Sequence, residues 1–206
     1  MATAAFPPGG TYFDNVKRSF TDVPVNAAAG NAISTTEFLE ASESLTGLFD
    51  VLGSAAFKPV KGDVLGNVKK IRERQLESPA ESETLQDLVR NELKTKKHTA
   101  TEGLVWLVRG LDFTAQALRK NLNAPSEELA ASFREAYSNT LKPHHSFIIK
   151  PIFSAAMSAT PYRKDFYTKL GDDQTKVNEE LNVWLKALEA IVAILKEFLA
   201  TKEAKW

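Results

Sequence analysis

The sequence predicts an all-α fold, and two observations carry that prediction. Apolar residues recur at intervals of three and four in segment after segment, the period of a helix face. No run of strict alternation is flanked by hairpin turns, so strand signals are weak throughout. At 206 residues the chain is long enough for a single domain with a sizeable core. Residues 1–10, with Pro7, Pro8, Gly9 and Gly10, read as a flexible entry, and 11–206 as that domain.

A short helix is expected near Thr11 to Phe20. Ser34 to Val51 follows, with Ser34 or Thr35 as N-cap, a stripe of Phe38, Leu39, Leu45, Leu48 and Phe49, and Gly53 with Ser54 as its stop. Pro59 opens the segment Val60 to Gln75. In SPAESETLQDLVRNEL, Ser78, Pro79 and Glu81 mark the start of another helix, and both helices read as surface helices with one buried face. Between Ala100 and Asn121, Leu104, Leu107, Val108, Leu111, Phe113 and Leu118 cover more than a narrow stripe, which predicts a central helix touched on several sides. Ser126 is expected to begin the next helix. After Pro143, the run HHSFIIKPIFSAAMSAT predicts an apolar helix kinked at Pro151. A last long helix, Asp173 to Ala200, repeats Val177, Leu181, Trp184, Leu188, Ile191 and Leu195 at helical spacing.

Composition limits the function. Lys plus Arg and Asp plus Glu both total 26, so no global field draws the chain to nucleic acid or an anionic membrane. Cysteine is absent, which removes disulfides, thiolate nucleophiles and thiolate metal sites, and fits a reducing, cytoplasmic address. No signal peptide or membrane span is indicated, because Lys186, Glu189, Lys196 and Glu197 interrupt the longest apolar stretch. No phosphate-cradling loop, nucleophile elbow or dinucleotide fingerprint occurs, and no cofactor is called for. His144 and His145 are adjacent, so on a helix they point about 100° apart, a poor arrangement for one metal ion.

Three weaker signals remain. In KPVKGDVLGNVKK, Asp63, Asn67 and Lys70 fall at i, i+4 and i+7, within an arc of about 60° on a helix. A carboxylate, an amide and an ammonium on one face can hold several hydroxyls at once, as a sugar requires, though a solvated helix face has the same pattern. Trp106, in EGLVWLVRGLDF, offers a flat ring to a pyranose or packs in the core. His145 is a donor or acceptor at neutral pH, or a satisfied core histidine.

Taken together and in order, FDVLGSAAFKPVKGDVLGNVKK, GLVWLVRGLDF and KPHHSFIIKPIFSAAMSATPY resemble the signature blocks of the glycolipid transfer protein family, and most of all its fungal heterokaryon-incompatibility branch. The resemblance runs from about Phe38 to the final helix. It implies a two-layer helical sandwich enclosing an apolar lipid tunnel, and a non-enzymatic carrier that moves a glycosphingolipid, such as glucosylceramide or galactosylceramide, between membranes. By this resemblance Asp63, Asn67, Lys70, Trp106 and His145 bind the sugar and ceramide amide. Phe49, Phe57, Phe113, Leu141, Phe153 and Met157 line the tunnel. Phe147, Tyr137 and Tyr162 dock transiently on the membrane, and the carrier is a monomer. The family's ceramide 1-phosphate branch has Arg at the positions of Trp106 and Gly110, so a ring and a bare backbone here favour sugar over phosphate. Glu102 stands where animal relatives have Leu, which leaves contacts to a second sugar open. A lipid-responsive sensor using the same site, and a glycolipid hydrolase, are the competing readings.

Overall fold

A computed structural model describes residues 6, 8–53 and 55–206 of the chain. Met1–Ala5, Pro7 and Ser54 lie outside the described residues, and with them much of the expected N-terminal entry and half of the expected helix stop. The described residues contain eight α-helices: α1 (Thr35–Leu52), α2 (Lys58–Glu77), α3 (Leu85–Lys94), α4 (Thr99–Asn123), α5 (Leu129–Asn139), α6 (Ile149–Ser158), α7 (Arg163–Leu170) and α8 (Gln174–Ala200). The described β-structure is slight: β1 (Val25–Asn26) pairs antiparallel with β2 (Ala32–Ile33), in register Val25 to Ile33.

Several boundaries differ from expectation for local reasons. The segment 11–20 is not one helix: Tyr12–Asn15 and Phe20–Asp22 are separate 3-10 turns, each closed by a capping box, Thr11 with Asp14 and Ser19 with Asp22. Ser34 precedes α1, but its hydroxyl bonds the Glu37 carboxylate and not a backbone amide. At the other end Gly53 takes the left-handed conformation, φ 73°, that closes a helix. Ser78, Pro79 and Glu81 do not start α3. They form a 3-10 turn of their own, and Thr84 caps α3 by accepting from the Asp87 amide at 3.2 Å. α5 starts at Leu129, three residues after Ser126. Pro151 sits in the first turn of α6, where helix amides have no intrahelical partner, so no kink is required of it. α7 was not foreseen, because RKDFYTKL buries only Phe166, Tyr167 and Leu170 and shows little periodicity.

α4 is the hub. It packs against α2, α5 and α8, while α3 meets it near its start and α1 lies on α2. Its residues Leu104, Leu107, Leu111, Phe113 and Leu118 are all 1% exposed or less, as expected of a helix touched on several sides. Each such side chain contributes roughly 1.5–3 kcal/mol by burial. One contiguous apolar core runs from Phe20 to Ala204. The start of α4 is fixed by Glu92 of α3, a buried carboxylate that accepts from the amides of Ala100 (2.8 Å) and Thr101 (2.7 Å) and from the Thr101 hydroxyl.

Candidate functional site

α2 buries Val60, Val64, Asn67, Val68, Ile71 and Arg74 against its neighbours. Asp63 and Lys70 flank that stripe at its rim, so the polar arc read from the sequence borders the α2–α4 contact. Gly103 on α4 sets the spacing, because a Cβ there would lie 3.3 Å from the Cβ and Cδ of Lys70 and 3.4 Å from the Asn67 carbonyl. A bare backbone thus brings the α2 arc alongside Trp106, one turn further on.

A cleft of about 310 Å³ opens here, lined by Pro59, Asp63, Asn67, Lys70, Trp106, His145, Ile149, Ile152 and Phe153. All five residues expected at the sugar head share it, from α2, α4 and the segment leading into α6. Its volume is at the low end for small-molecule sites, and its mix of apolar wall and few polar groups is typical of them. Among the described residues it has one carboxylate, Asp63.

Asn67 is only 4% exposed, and its sole side-chain partner among the described residues is Lys70 Nζ, 3.5 Å from Oδ1. Among the described residues its amide nitrogen has no protein acceptor. Asn67 also lines the cleft, where its amide can both donate and accept. Crowding pushes the Asp63 carboxyl above the usual carboxylate range by desolvation, against the opposing pull of the Lys70 charge.

Trp106 is half-buried. The Arg109 guanidinium lies 4.8 Å from its ring centre, and the His145 ring stands 5.8 Å away, tilted by only 22°. The expected stacking plate is therefore already held between neighbours. Arg109 was missed by sequence reasoning, although its i+3 spacing from Trp106 is the signal that finds it. Ile149 and Ile152 were also missed as cleft residues within a run read only as apolar helix.

His145 lies in the segment that leads into α6. Its pKa is lowered first by desolvation and then by His144, Lys150 and Arg109. Its Nδ1 lies 3.2 Å from the Tyr137 hydroxyl. Tyr137, expected at the membrane face, is 4% exposed, with its ring stacked on Phe153 at 5.4 Å. That burial corrects the expectation: the side chain is part of the wall behind His145. Phe147 and Tyr162, by contrast, are 82% and 74% exposed.

The six residues expected in the tunnel, Phe49, Phe57, Phe113, Leu141, Phe153 and Met157, are all buried. Aromatic rings form a path from the cleft inward: His145 to Phe153 (4.5 Å), Phe153 to Phe113 (6.3 Å), Phe113 to Phe133 (5.7 Å), Phe133 to Phe57 (6.4 Å) and Phe57 to Phe49 (6.1 Å). Phe133 was not foreseen. The path ends at a second opening of about 250 Å³ lined by Phe49, Asp50, Gly53, Ala55, Phe57, Lys58 and Lys61.

Comparison with known proteins agrees with this architecture. The family model for glycolipid transfer proteins matches residues 33–172. A glycolipid transfer protein of Aureobasidium melanogenum is 74% identical over 203 residues, covering 98% of this chain and 100% of that protein. The crystal structure of HET-C2, a fungal glycolipid transfer protein, superposes with a TM-score of 0.94 at 68% identity, over 95% of this chain and 100% of the other. A structure of FAPP2, described as selecting simple glycosphingolipids through this fold, gives 0.85 at 29% identity, over 95% and 98% of the two chains. With its two-layer helical sandwich and the family's sequence blocks in order, the chain belongs to the glycolipid transfer protein family.

Proposed function

We propose that this chain binds one glycosphingolipid, with its sugar in the Asp63–Asn67–Lys70–Trp106–His145 cleft, and carries it between membranes without covalent change. The observation that carries this reading is the convergence of a carboxylate, an amide, an ammonium, an indole and an imidazole, from Asp63, Asn67, Lys70, Trp106 and His145, on one cleft. Sugar hydroxyls both donate and accept, so they satisfy Asp63, Asn67 and Lys70 together. Glucosylceramide and galactosylceramide suit a 310 Å³ site with one polar face and one aromatic face. The similarity to FAPP2, said to select simple glycosphingolipids, supports the same class of ligand.

The two hydrocarbon chains enter along the ring path from Phe153 toward Phe49, parting side chains that otherwise pack on one another. A ceramide carries about 30 CH₂ groups, and at roughly 0.8 kcal/mol each, exposing them to water costs on the order of 20 kcal/mol. A carrier must therefore meet the bilayer and take the chains directly. Phe147 (82% exposed) and Ile148 (63%), directly before the cleft residue Ile149, supply an apolar contact, and Tyr162 (74%) is a further exposed ring. No helix among the described residues is long and apolar enough to cross a membrane. Hydrolysis of a glycosidic bond ordinarily uses two carboxylates, whereas the described lining offers Asp63 alone.

Native mass spectrometry after incubation with galactosylceramide vesicles tests the reading. One intact lipid per chain is expected, with no uptake of phosphatidylcholine. Release of free galactose, or equal uptake of phosphatidylcholine, contradicts it.

A further inference from the structure

The rings along the inner path fall into two groups. The outer group adjoins the cleft: His145 lies 4.5 Å from Phe153, Phe153 stacks on Tyr137 at 5.4 Å, and Tyr137 and Phe153 meet Phe113 edge-on at 6.4 and 6.3 Å. The inner group is the pair Phe49 and Phe57, parallel to within 9° at 6.1 Å. This pair borders the second opening, at whose rim Lys61 Nζ donates to both Asp50 oxygens at 2.9 and 2.6 Å. Among the described residues, one ring has contacts with both groups, Phe133 of α5.

Phe133 stands crosswise between them. Its ring is turned 83° from Phe113 at 5.7 Å and 77° from Phe57 at 6.4 Å, and the side chain is 1% exposed. It shares the buried face of α5 with Leu129, Ala136 and Tyr137, and α5 packs on α4 and α6. In a close-packed core, a ring set edge-on to two neighbours swings aside only if those neighbours yield. Beyond the inner pair lies open volume, the second opening of about 250 Å³.

We propose that Phe133 is the length stop for the acyl chain of the bound lipid. A chain that has passed Phe153 and Phe113 ends against the Phe133 ring. One that is longer must displace this ring, run along Phe57 and Phe49, and meet the charged rim of Lys61 and Asp50, or else leave its excess in water. The inference rests on the reading of this chain as a glycolipid carrier. A lipid drawn from a bilayer exchanges one apolar surrounding for another, so each methylene housed inside is close to neutral. Each methylene left in water lowers occupancy about fourfold, the equivalent of about 0.8 kcal/mol. With a stop, occupancy is level for chains that end before it and drops for longer ones; without a stop it stays level.

The test is a competition between galactosylceramides with lauroyl and lignoceroyl chains, offered in equal amounts in one vesicle population, with native mass spectrometry reading which lipid each protein holds. Wild type is expected to hold the lauroyl lipid at least about tenfold over the lignoceroyl one, as two or more excluded methylenes require. Phe133→Leu and Phe133→Ala should raise the lignoceroyl share at least about fourfold, the value of one further housed methylene. Thermal melting accompanies both, because a large-to-small change in a core costs stability, and Phe133→Leu keeps more of the volume. Ala55→Trp, at an exposed position lining the second opening, fills space beyond the ring. Alone it should leave the wild-type ratio unchanged, and combined with Phe133→Leu it should cancel the gain. Equal uptake of the two lipids by wild type overturns the proposal. So does an unmoved ratio in folded Phe133 variants, or a fall in the lignoceroyl share with Ala55→Trp alone. Uptake of neither lipid by wild type refutes the carrier reading itself, whereas normal uptake with no length preference refutes only the stop.

Discussion

Tyr137→Phe separates two roles that the sequence and the geometry assign to the same side chain. Tyr137 is 4% exposed, and its only hydrogen-bond partner among the described residues is His145 Nδ1, at 3.2 Å. Donation from the Tyr137 phenol to Nδ1 would place the His145 proton on Nε2, and this tautomer is the prediction. That leaves Nε2–H as the donor for a carbonyl or hydroxyl in the cleft. The Phe variant keeps the ring stack on Phe153 and removes one neutral hydrogen bond, which costs about 1 kcal/mol of stability, or some 2–4 °C in Tm for a chain of this size. The larger effect is on the tautomer. With Nδ1 free to carry the proton, the donor in the cleft is populated only part of the time, and galactosylceramide affinity falls roughly three- to tenfold. Nitrogen-15 shifts of the His145 ring report the tautomer, and vesicle flotation reports membrane partitioning. The reasoning predicts a shifted tautomer, weaker lipid binding and unchanged partitioning. An unchanged tautomer with reduced partitioning would refute it and return Tyr137 to the membrane face.

Gly103→Val forces side-chain atoms into the 3.3 Å gap beside Lys70, so stability falls by about 1–3 kcal/mol and the cleft loses affinity. Gly66→Ala, with nothing within 4 Å of the added Cβ on the same helix α2, instead gains up to about 1 kcal/mol by denaturant melting and keeps its affinity. Lys70→Met removes the charge that holds the Asp63 pKa down, so the acid limb of lipid affinity moves to higher pH, as binding measured across a pH series would show. The sign follows from the raised folded-state pKa: ionised Asp63 costs stability at neutral pH, and the cost is relieved as pH falls through that value. Phe147→Ala removes an 82% exposed ring, lowering vesicle partitioning about tenfold with no loss of thermal stability.

Much of this was legible in the sequence because periodicity reports burial directly. The stripes of α1, α4 and α8 and the i, i+4, i+7 arc of α2 need only the helical repeat, and Asp63, Asn67 and Lys70 indeed share one rim. Boundaries were less legible, since Ser78, Pro79 and Ser126 have the right chemistry for a helix start but sit in turns that precede one. Thr84 competes for the same role and wins, because its hydroxyl reaches the Asp87 amide. Tyr137 shows a deeper limit: an amphipathic ring suits both a membrane interface and a core, and only the position of His145 decides between them. Phe133 was invisible for a related reason, since its ring partners Phe57 and Phe113 arrive from other elements, whereas Arg109 stacks on Trp106 within α4 and its i+3 spacing was there to be read.

The most direct test of the cleft is vesicle-to-vesicle transfer of labelled galactosylceramide by wild type and Trp106→Ala, with phosphatidylcholine in parallel. The account predicts selective transfer of the glycolipid and at least about a tenfold loss in the variant, the ring being the apolar wall that a pyranose stacks on. Equal rates for both proteins, or equal transfer of both lipids, would contradict it.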